Sequence, residues 1–269
     1  MRTSIQEARR IVVKVGTSTL THENGKIHFA RLDKLSEVLS DLANEGKEII
    51  LVTSGAIGIG AAKMKWTHRP TSVVERQAAA AVGQSELMHL YSKFFGEYGH
   101  IVAQILLTSD VFGKCVLRTN VQNSFNKLLS QGIIPIVNEN DPVATDEIEG
   151  EKSFGDNDTM SAYVARTVQA DLLILLSDID GFYTDNPKEN KDAVIISEVE
   201  DLSEDLIKRA KGSSSMLGTG GMSTKLKAAQ IVMVEGIDMI IAQGENPSIL
   251  YRILKGEPIG TWFRGTHHE

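Results

Sequence analysis

The chain predicts an α/β protein, a three-layer α/β/α sandwich with a mostly parallel central sheet. Three observations carry that expectation. Short apolar, β-branched runs alternate with helical periodicities, the connections between them are short, and several of the runs are apolar along their whole length, as strands covered on both faces require. Ligands of such sheets gather beyond the carboxyl ends of the strands, so the residues leaving each strand bear most on function.

Ile11 to Val15 (IVVKV) reads as the first strand, closed by Gly16. Lys14 is out of place in it. A lysine in a core strand is costly unless paired, so it either sits at the strand's end facing solvent or faces a negative ligand; Gly16-Thr17-Ser18 supplies amides and hydroxyls at the same place. Phe29 to Asn44 repeats apolar residues at Leu32, Leu35, Val38, Leu39 and Leu42, a helical period closed by Gly46. Glu48 to Thr53 is the second strand, and Ser54-Gly55-Ala56-Ile57-Gly58-Ile59-Gly60 leaves it. That order, GxxGxG, reverses the dinucleotide fingerprint, and no acidic residue ends a following strand at the fingerprint's distance, which argues against a Rossmann cofactor site. What remains is a strand-to-helix turn of small residues where amides can hold a carboxylate or phosphate.

Ser72 to Gly96 is a long alanine-rich helix, with Ala78 to Ala81 placed for close helix contact. Gly99 to Leu107 is the third strand, with Thr108, Ser109 and Asp110 as candidate caps for the next element. Asn120 to Leu129 is a helix and Ile133 to Val137 the fourth strand, which delivers Asn138-Glu139-Asn140-Asp141-Pro142. A turn explains Asn-Asp-Pro, yet four successive amide and carboxylate groups at a strand's end exceed what a turn needs. Val143 to Phe154 reads as a small hairpin or lid. Asp156 and Asp158 then flank Asn157 ahead of a helix from Met160 to Val168; one acid would suffice as a cap, so the pair is also suited to orienting Mg²⁺ or nearby lysines.

Asp171 to Leu176 (DLLILL) is the most hydrophobic strand, hence central, and it presents Ser177 and Asp178 at its end. A short strand at Ala193 to Ser197 and a helix from Ser203 to Ala210 come next. Ser213 to Lys227 (SSSMLGTGGMSTKLK) is a loop of glycines and hydroxyl residues running into a helix that ends at Val234. It reads either as a solvated surface loop or as an anion cradle, in which Gly218, Gly220 and Gly221 admit a close ligand, Ser223 and Thr224 cap the helix, and Lys225 needs an anionic partner because its first-turn position opposes the helix dipole. It is not a P-loop, because glycine does not directly precede the lysine. Ile237 to Ala242 is a strand, Ser248 to Leu254 a helix, and Gly260 to Phe263 a closing edge strand.

The 269 residues suffice for one large α/β domain or two small ones. A net charge of −7 argues against a nucleic-acid face, so any anion is met locally. The N-terminus has no apolar signal core and no run nears the roughly 18 residues of a membrane span, so a cytoplasmic, membrane-free protein is expected. The single Cys115 excludes an internal disulfide and reads as a small core or helix residue.

Two lysines and two carboxylates among glycine turns suit phosphoryl transfer, where positioning and charge neutralisation dominate. No histidine in these stretches has an identifiable carboxylate or serine partner. A carboxylate acceptor needs none, since with an ordinary pKa of about 4.3 it is already ionised.

KVGTS at 14 to 18, TSGAI at 53 to 57, NENDPVAT at 138 to 145, GDND at 155 to 158, LLSDIDGFYT at 175 to 184 and GTGGMSTK at 218 to 225 together resemble the glutamate 5-kinases of the amino-acid kinase family. The NEND and GDND motifs separate that branch from aspartate, acetylglutamate and UMP kinases. The resemblance implies the amino-acid kinase fold and transfer of the ATP γ-phosphoryl group to the side-chain carboxylate of L-glutamate. It implies that Lys14 and Lys225 stabilise the group in flight and that Asp158 organises them. Ser54, Gly55, Asp141 and Asn157 would hold glutamate; Lys14, Ser177, Asp178, Thr219, Gly220, Gly221, Met222, Ser223, Thr224 and Lys225 would hold the nucleotide. Mg²⁺ would bridge the phosphates near Asp156 and Asp158. Residue 177 is serine where the family usually has threonine, and both offer a hydroxyl. A single kinase domain over 1–269 is expected, with a glutamate-binding half over about 1–165, a nucleotide-binding half over about 166–263 and no PUA domain. A homo-oligomer (dimer or tetramer), feedback inhibition by proline and a downstream glutamyl phosphate reductase complete the implied picture. Against it stand a kinase for another small carboxylate and a non-catalytic nucleotide- or amino-acid-binding regulator.

Overall fold

The computed structural model describes residues 2–22, 25–144, 156–185, 187, 189–202 and 221–266. The chain divides into two compact units, Val15–Phe154 and Met1–Lys14 with Gly155–Glu269. The fold is a mostly parallel sheet with flanking helices, as the alternation of runs predicts. No helix among the described residues is long and apolar enough to cross a membrane.

In the Val15–Phe154 unit, β2 (Glu48–Val52), β3 (Val102–Leu107) and β4 (Ile134–Glu139) lie in the order β3-β4-β2, all parallel. The register pairs Val52 with Val137 and Leu107 with Glu139, which brings the carboxyl ends of the strands to one rim. A short helix α2 (Thr17–Leu20) precedes α3 (Phe29–Asn44), whose bounds match the predicted helix because Leu32, Leu35, Val38, Leu39 and Leu42 are all buried on its inner stripe. Then α4 (Ala56–Lys63) packs on α5 (Val73–Glu97), which opens on Ser72 with a capping box to Glu75. The helices cross through glycines. A Cβ on Gly60 would lie 1.8 Å from the Ala79 carbonyl oxygen, and one on Gly83 1.8 Å from that of Ala56. So the GxxGxG stretch supplies a turn at Gly55 (φ +97°) and a helix contact at Gly60, rather than ligand amides along its length.

Two boundaries in this unit differ from expectation. A turn of helix α6 (Asp110–Gly113) precedes α7, which runs Cys115–Leu129 rather than starting at Asn120. Its first turns bury no apolar residue, so they carry no periodic signal; Cys115 is a helix residue and exposed.

In the other unit a short α1 (Thr3–Glu7) leads into β1 (Arg10–Val15), and the strand order is β1-β5-β9-β10-β8. β5 (Leu172–Ser177) is buried along its whole length between β1 and β9 (Asp238–Gln243), with which it runs parallel from Leu172–Asp238 to Ser177–Gln243. β10 (Thr261–Phe263) is not the edge strand its position in the chain suggests. It pairs antiparallel with β9 on one side and parallel with β8 (Glu198–Val199) on the other, so β8 is the outer strand. A small hairpin of β6 (Phe182–Tyr183) and β7 (Ile195–Ile196) stands apart. α8 (Asn157–Val168) starts at Asn157 rather than Met160, packs on α9 (Met222–Met233), and α10 (Ile249–Leu254) comes after β9. Residues 145–154 of the expected lid Val143–Phe154, the helix Ser203–Ala210 and residues 213–220 of the Ser213–Lys227 loop lie outside the described residues.

Candidate active site

Lys14 is the last but one residue of β1, behind the buried run Ile11 to Val13, and its side chain is 12% exposed. Its Nζ lies 2.6 Å from Asp158 Oδ1. It neither turns to solvent nor waits on a ligand alone, as the strand by itself suggested: its partner is a carboxylate of the same chain.

Asp158 is set by the start of α8. Asp156 caps that helix, its Oδ1 accepting from Thr159 N at 2.7 Å and its Oδ2 from Thr159 Oγ1 at 2.9 Å. Asp158 then falls in the first turn, where the helix dipole favours a negative charge. Ser161 Oγ donates to the Asp158 main-chain oxygen at 2.6 Å, tightening the turn.

Lys225 comes from the first turn of α9, capped by Gly221. A cation there opposes the helix dipole, and the structure supplies the compensation: Lys225 Nζ donates to Asp158 Oδ2 at 3.0 Å, with the lysine side chain 5% exposed. Thr224 Oγ1 lies 2.9 Å from the same Oδ2 and 2.8 Å from the Gly221 carbonyl. One buried carboxylate therefore carries an ammonium on each oxygen. Burial, the largest single influence on Asp158, raises its pKa, but Lys14 and Lys225 together outweigh burial and hold the carboxyl below its ordinary value. Asp156 moves the other way, raised chiefly by burial and only partly offset by the Thr159 donors. Two ammoniums on one carboxylate leave a local excess of one positive charge, a ready seat for an anion.

The other expected nucleotide residues lie in the same unit. Ser177 ends β5, is buried, and its hydroxyl donates to Asp178 Oδ1 at 3.0 Å, while Asp178 is exposed. Met222 and Ser223 open α9, and Ser223 is exposed. At Gly221 the backbone is extended (φ −70°) and a Cβ would meet nothing within 4 Å among the described residues. Thr219 and Gly220 lie outside the described residues.

The expected glutamate residues fall in both units. Ser54, beyond the end of β2, donates from Oγ to the Val15 carbonyl at 3.2 Å and stands 3.2 Å from Thr17 Oγ1. A Cβ on Gly55 would touch the Thr17 methyl at 3.4 Å. Thr17 is thus a fourth member of this corner, and the KVGTS motif held it in view only as a generic hydroxyl. Asp141 comes after β4 in a turn, half-buried, its carbonyl accepting from Ala144 N at 3.3 Å. Asn138, at the end of the same strand, is 2% exposed and bonded to Gln84 at 2.8 Å. Asn157 is the first residue of α8, in the unit that holds the lysines.

No cluster of three or more His, Cys, Asp or Glu able to hold a metal occurs among the described residues. Asp158 meets a lysine on each oxygen, and Asp156 accepts from Thr159 on both of its own.

A parallel sheet presenting two ammoniums on one buried carboxylate suits phosphoryl transfer, where charge neutralisation dominates. The chain belongs to the amino acid kinase family, whose profile matches residues 9–243. It is 55% identical over 269 residues to glutamate 5-kinase of Listeria monocytogenes (100% of this chain, 98% of the relative). It is 54% identical over 263 residues to glutamate 5-kinase of Clostridium perfringens (98% of each). In fold it matches a carbamate kinase from Giardia lamblia bound to AMP-PNP, with a TM-score of 0.69 at 14% identity over 97% of this chain and 100% of that one.

Proposed function

We propose that the chain transfers the γ-phosphoryl group of ATP to the side-chain carboxylate of L-glutamate, giving L-glutamyl 5-phosphate, the first step of proline biosynthesis. The observation that carries this reading is the convergence of Lys14 and Lys225 on Asp158, in a chain 54% identical over nearly its full length to a glutamate 5-kinase. In the step the bond from the γ-phosphorus to the β,γ-bridging oxygen breaks, a bond to a glutamate carboxylate oxygen forms, and ADP leaves. The protein needs no nucleophile of its own. Its task is to place fixed positive charge where the phosphoryl oxygens and the bridging oxygen gain negative charge. Lys14 and Lys225 do this in the proposal, and Asp158 keeps both ammoniums in place so that they need not reorganise as charge moves. The acceptor carboxylate is ionised near neutral pH, so no base is required.

For the acceptor, the family resemblance assigns Asp141 to the substrate ammonium, while the Ser54 hydroxyl, the Gly55 amide and the Asn157 side chain suit its α-carboxylate. Ser177, Asp178 and Thr219 to Lys225 border the nucleotide. Mg²⁺ arriving with the nucleotide would lie near Asp156 and Asp158 and would supply charge neutralisation at the phosphates, and no step is assigned to it. Cytoplasmic placement, a single kinase domain, a homo-oligomer, proline as feedback inhibitor and a glutamyl phosphate reductase consuming the product complete the reading; the family resemblance supports them.

The test is a coupled ADP-release assay with glutamate, aspartate and N-acetylglutamate, with and without proline, and with hydroxylamine to trap an acyl phosphate. Glutamate-dependent ADP release with matching hydroxamate is expected. ATP turnover that ignores glutamate would refute the reading.

A further inference from the structure

Three polar side chains of α5, Gln77, Gln84 and Tyr91, recur at seven-residue spacing and so form one stripe, since seven residues are about two helical turns. Gln84 and Tyr91 reach the ends of strands that lead into the proposed glutamate residues, and Gln77 reaches the turn after one of them. The Tyr91 hydroxyl shares a 2.8 Å hydrogen bond with Thr53 Oγ1, both residues fully buried, and Thr53 directly precedes Ser54. Gln84 Oε1 accepts from Asn138 Nδ2 at 2.8 Å, and Gln77 Nε2 donates to the Ala144 carbonyl at 3.3 Å. Asn138 and Ala144 bracket Asp141.

The stripe is not needed to dock the helix. Ala79, Ala80, Leu87 and Phe95 are buried on α5 and already provide the apolar contact. Gln84 carries a cost as well: at 7% exposure its Nε2 is buried and has no hydrogen-bond partner among the described residues. An apolar residue of similar volume would avoid that cost. A helix that keeps a polar stripe under such terms, aimed at the two segments flanking Ser54 and Asp141, is organised for the site rather than for stability.

We propose that Gln84 is a positioning residue for substrate, fixing Asn138 and with it the turn that presents Asp141, while Tyr91 and Gln77 hold the neighbouring anchor points. The proposal rests on the glutamate reading above. It places Gln84 behind the site, acting through Asn138 and the turn rather than on the reacting atoms.

The experiment is steady-state kinetics and thermal melting of the full chain, wild type beside Gln84→Met, which keeps length and volume but makes no hydrogen bond. The glutamate KM should rise about tenfold, the effect of about one buried hydrogen bond, with the ATP KM within about twofold and kcat falling less than the KM rises. Gln84→Glu retains an oxygen acceptor for Asn138 Nδ2 and should restore much of the glutamate KM. A Gln84→Met enzyme with a lower Tm and an unchanged glutamate KM would overturn the proposal, since it would show a structural role alone. If that variant does not fold, Tyr91→Phe decides: a raised glutamate KM supports the stripe and an unchanged one overturns it. A wild-type enzyme without glutamate-dependent turnover would overturn the parent reading and this one together, an outcome visible before any variant is compared.

Discussion

Asp158→Asn tests the organising charge at the centre of the site. The amide keeps the size of the side chain and removes the charge on which Lys14 Nζ at 2.6 Å and Lys225 Nζ at 3.0 Å converge. Two ammoniums, on side chains 12% and 5% exposed, are then left facing a neutral group. Breaking a buried ion pair on one side costs about 3–5 kcal/mol, and deprotonation of a lysine sets the upper bound. In a chain of this length about 1 kcal/mol moves Tm by roughly 2–4 °C, so a fall on the order of 10 °C is expected at neutral pH. Removing one fixed charge-stabilising group costs about 10²–10³ in kcat, and here both ammoniums lose their anchor, so a loss of about 10³ or more is expected. The pH dependence stems from the depressed pKa of Asp158. Its contribution is fully present above its unfolded pKa of about 3.9 and disappears as pH falls through the lower folded value, so the Tm gap between wild type and variant should close on acidification below about pH 4. Melting curves from neutral to acid pH and ADP release at saturating ATP and glutamate measure both effects. A variant with wild-type Tm and kcat within tenfold would refute the role assigned to this carboxylate.

Lys225→Ala should lower kcat by about 10³ while changing the ATP KM far less, because the ammonium acts where charge develops in transfer; equal losses in initial-rate kinetics would reduce it to a nucleotide anchor. Asp141→Ala should raise the glutamate KM by about tenfold to a hundredfold and leave the ATP KM near wild type, with unchanged glutamate kinetics removing it from the substrate site. Gly83→Ala places a Cβ 1.8 Å from the Ala56 carbonyl oxygen and should destabilise by roughly 1–3 kcal/mol or more in thermal melts. Gly96→Ala, on the same helix with open space around it, should be neutral or stabilise by up to about 1 kcal/mol, and equal effects at the two positions would discount the helix crossing.

Much of the fold was legible because its signals are local. The α3 bounds reflect an apolar stripe that the helix itself repeats, and β5 reads as central because a wholly apolar strand must be covered on both faces. Where the local signal was silent, the reading went astray. The exposed first turns of α7 have no stripe, and β10 looks terminal in the chain although β8 pairs beyond it. The glycines after β2 could not be sorted between ligand and packing, because the carbonyl that excludes a Cβ at Gly60 belongs to another helix.

The site divides in the same way. Sequence alone determined which chemistry is present: lysines, carboxylates and small residues at strand ends and helix starts, in an order that resembles one kinase branch. Only the tertiary structure decided who meets whom. Lys225 and Asp158 are 67 residues apart and touch because α8 and α9 pack together, while Lys14 arrives from β1. In the other unit Gln84, one amide within an alanine-rich run, meets Asn138 from 54 residues away. Helical and strand periods express contacts between near neighbours in the chain. An ion pair or a buried hydrogen bond depends on where distant elements come to rest, and no spacing within either segment contains that distance.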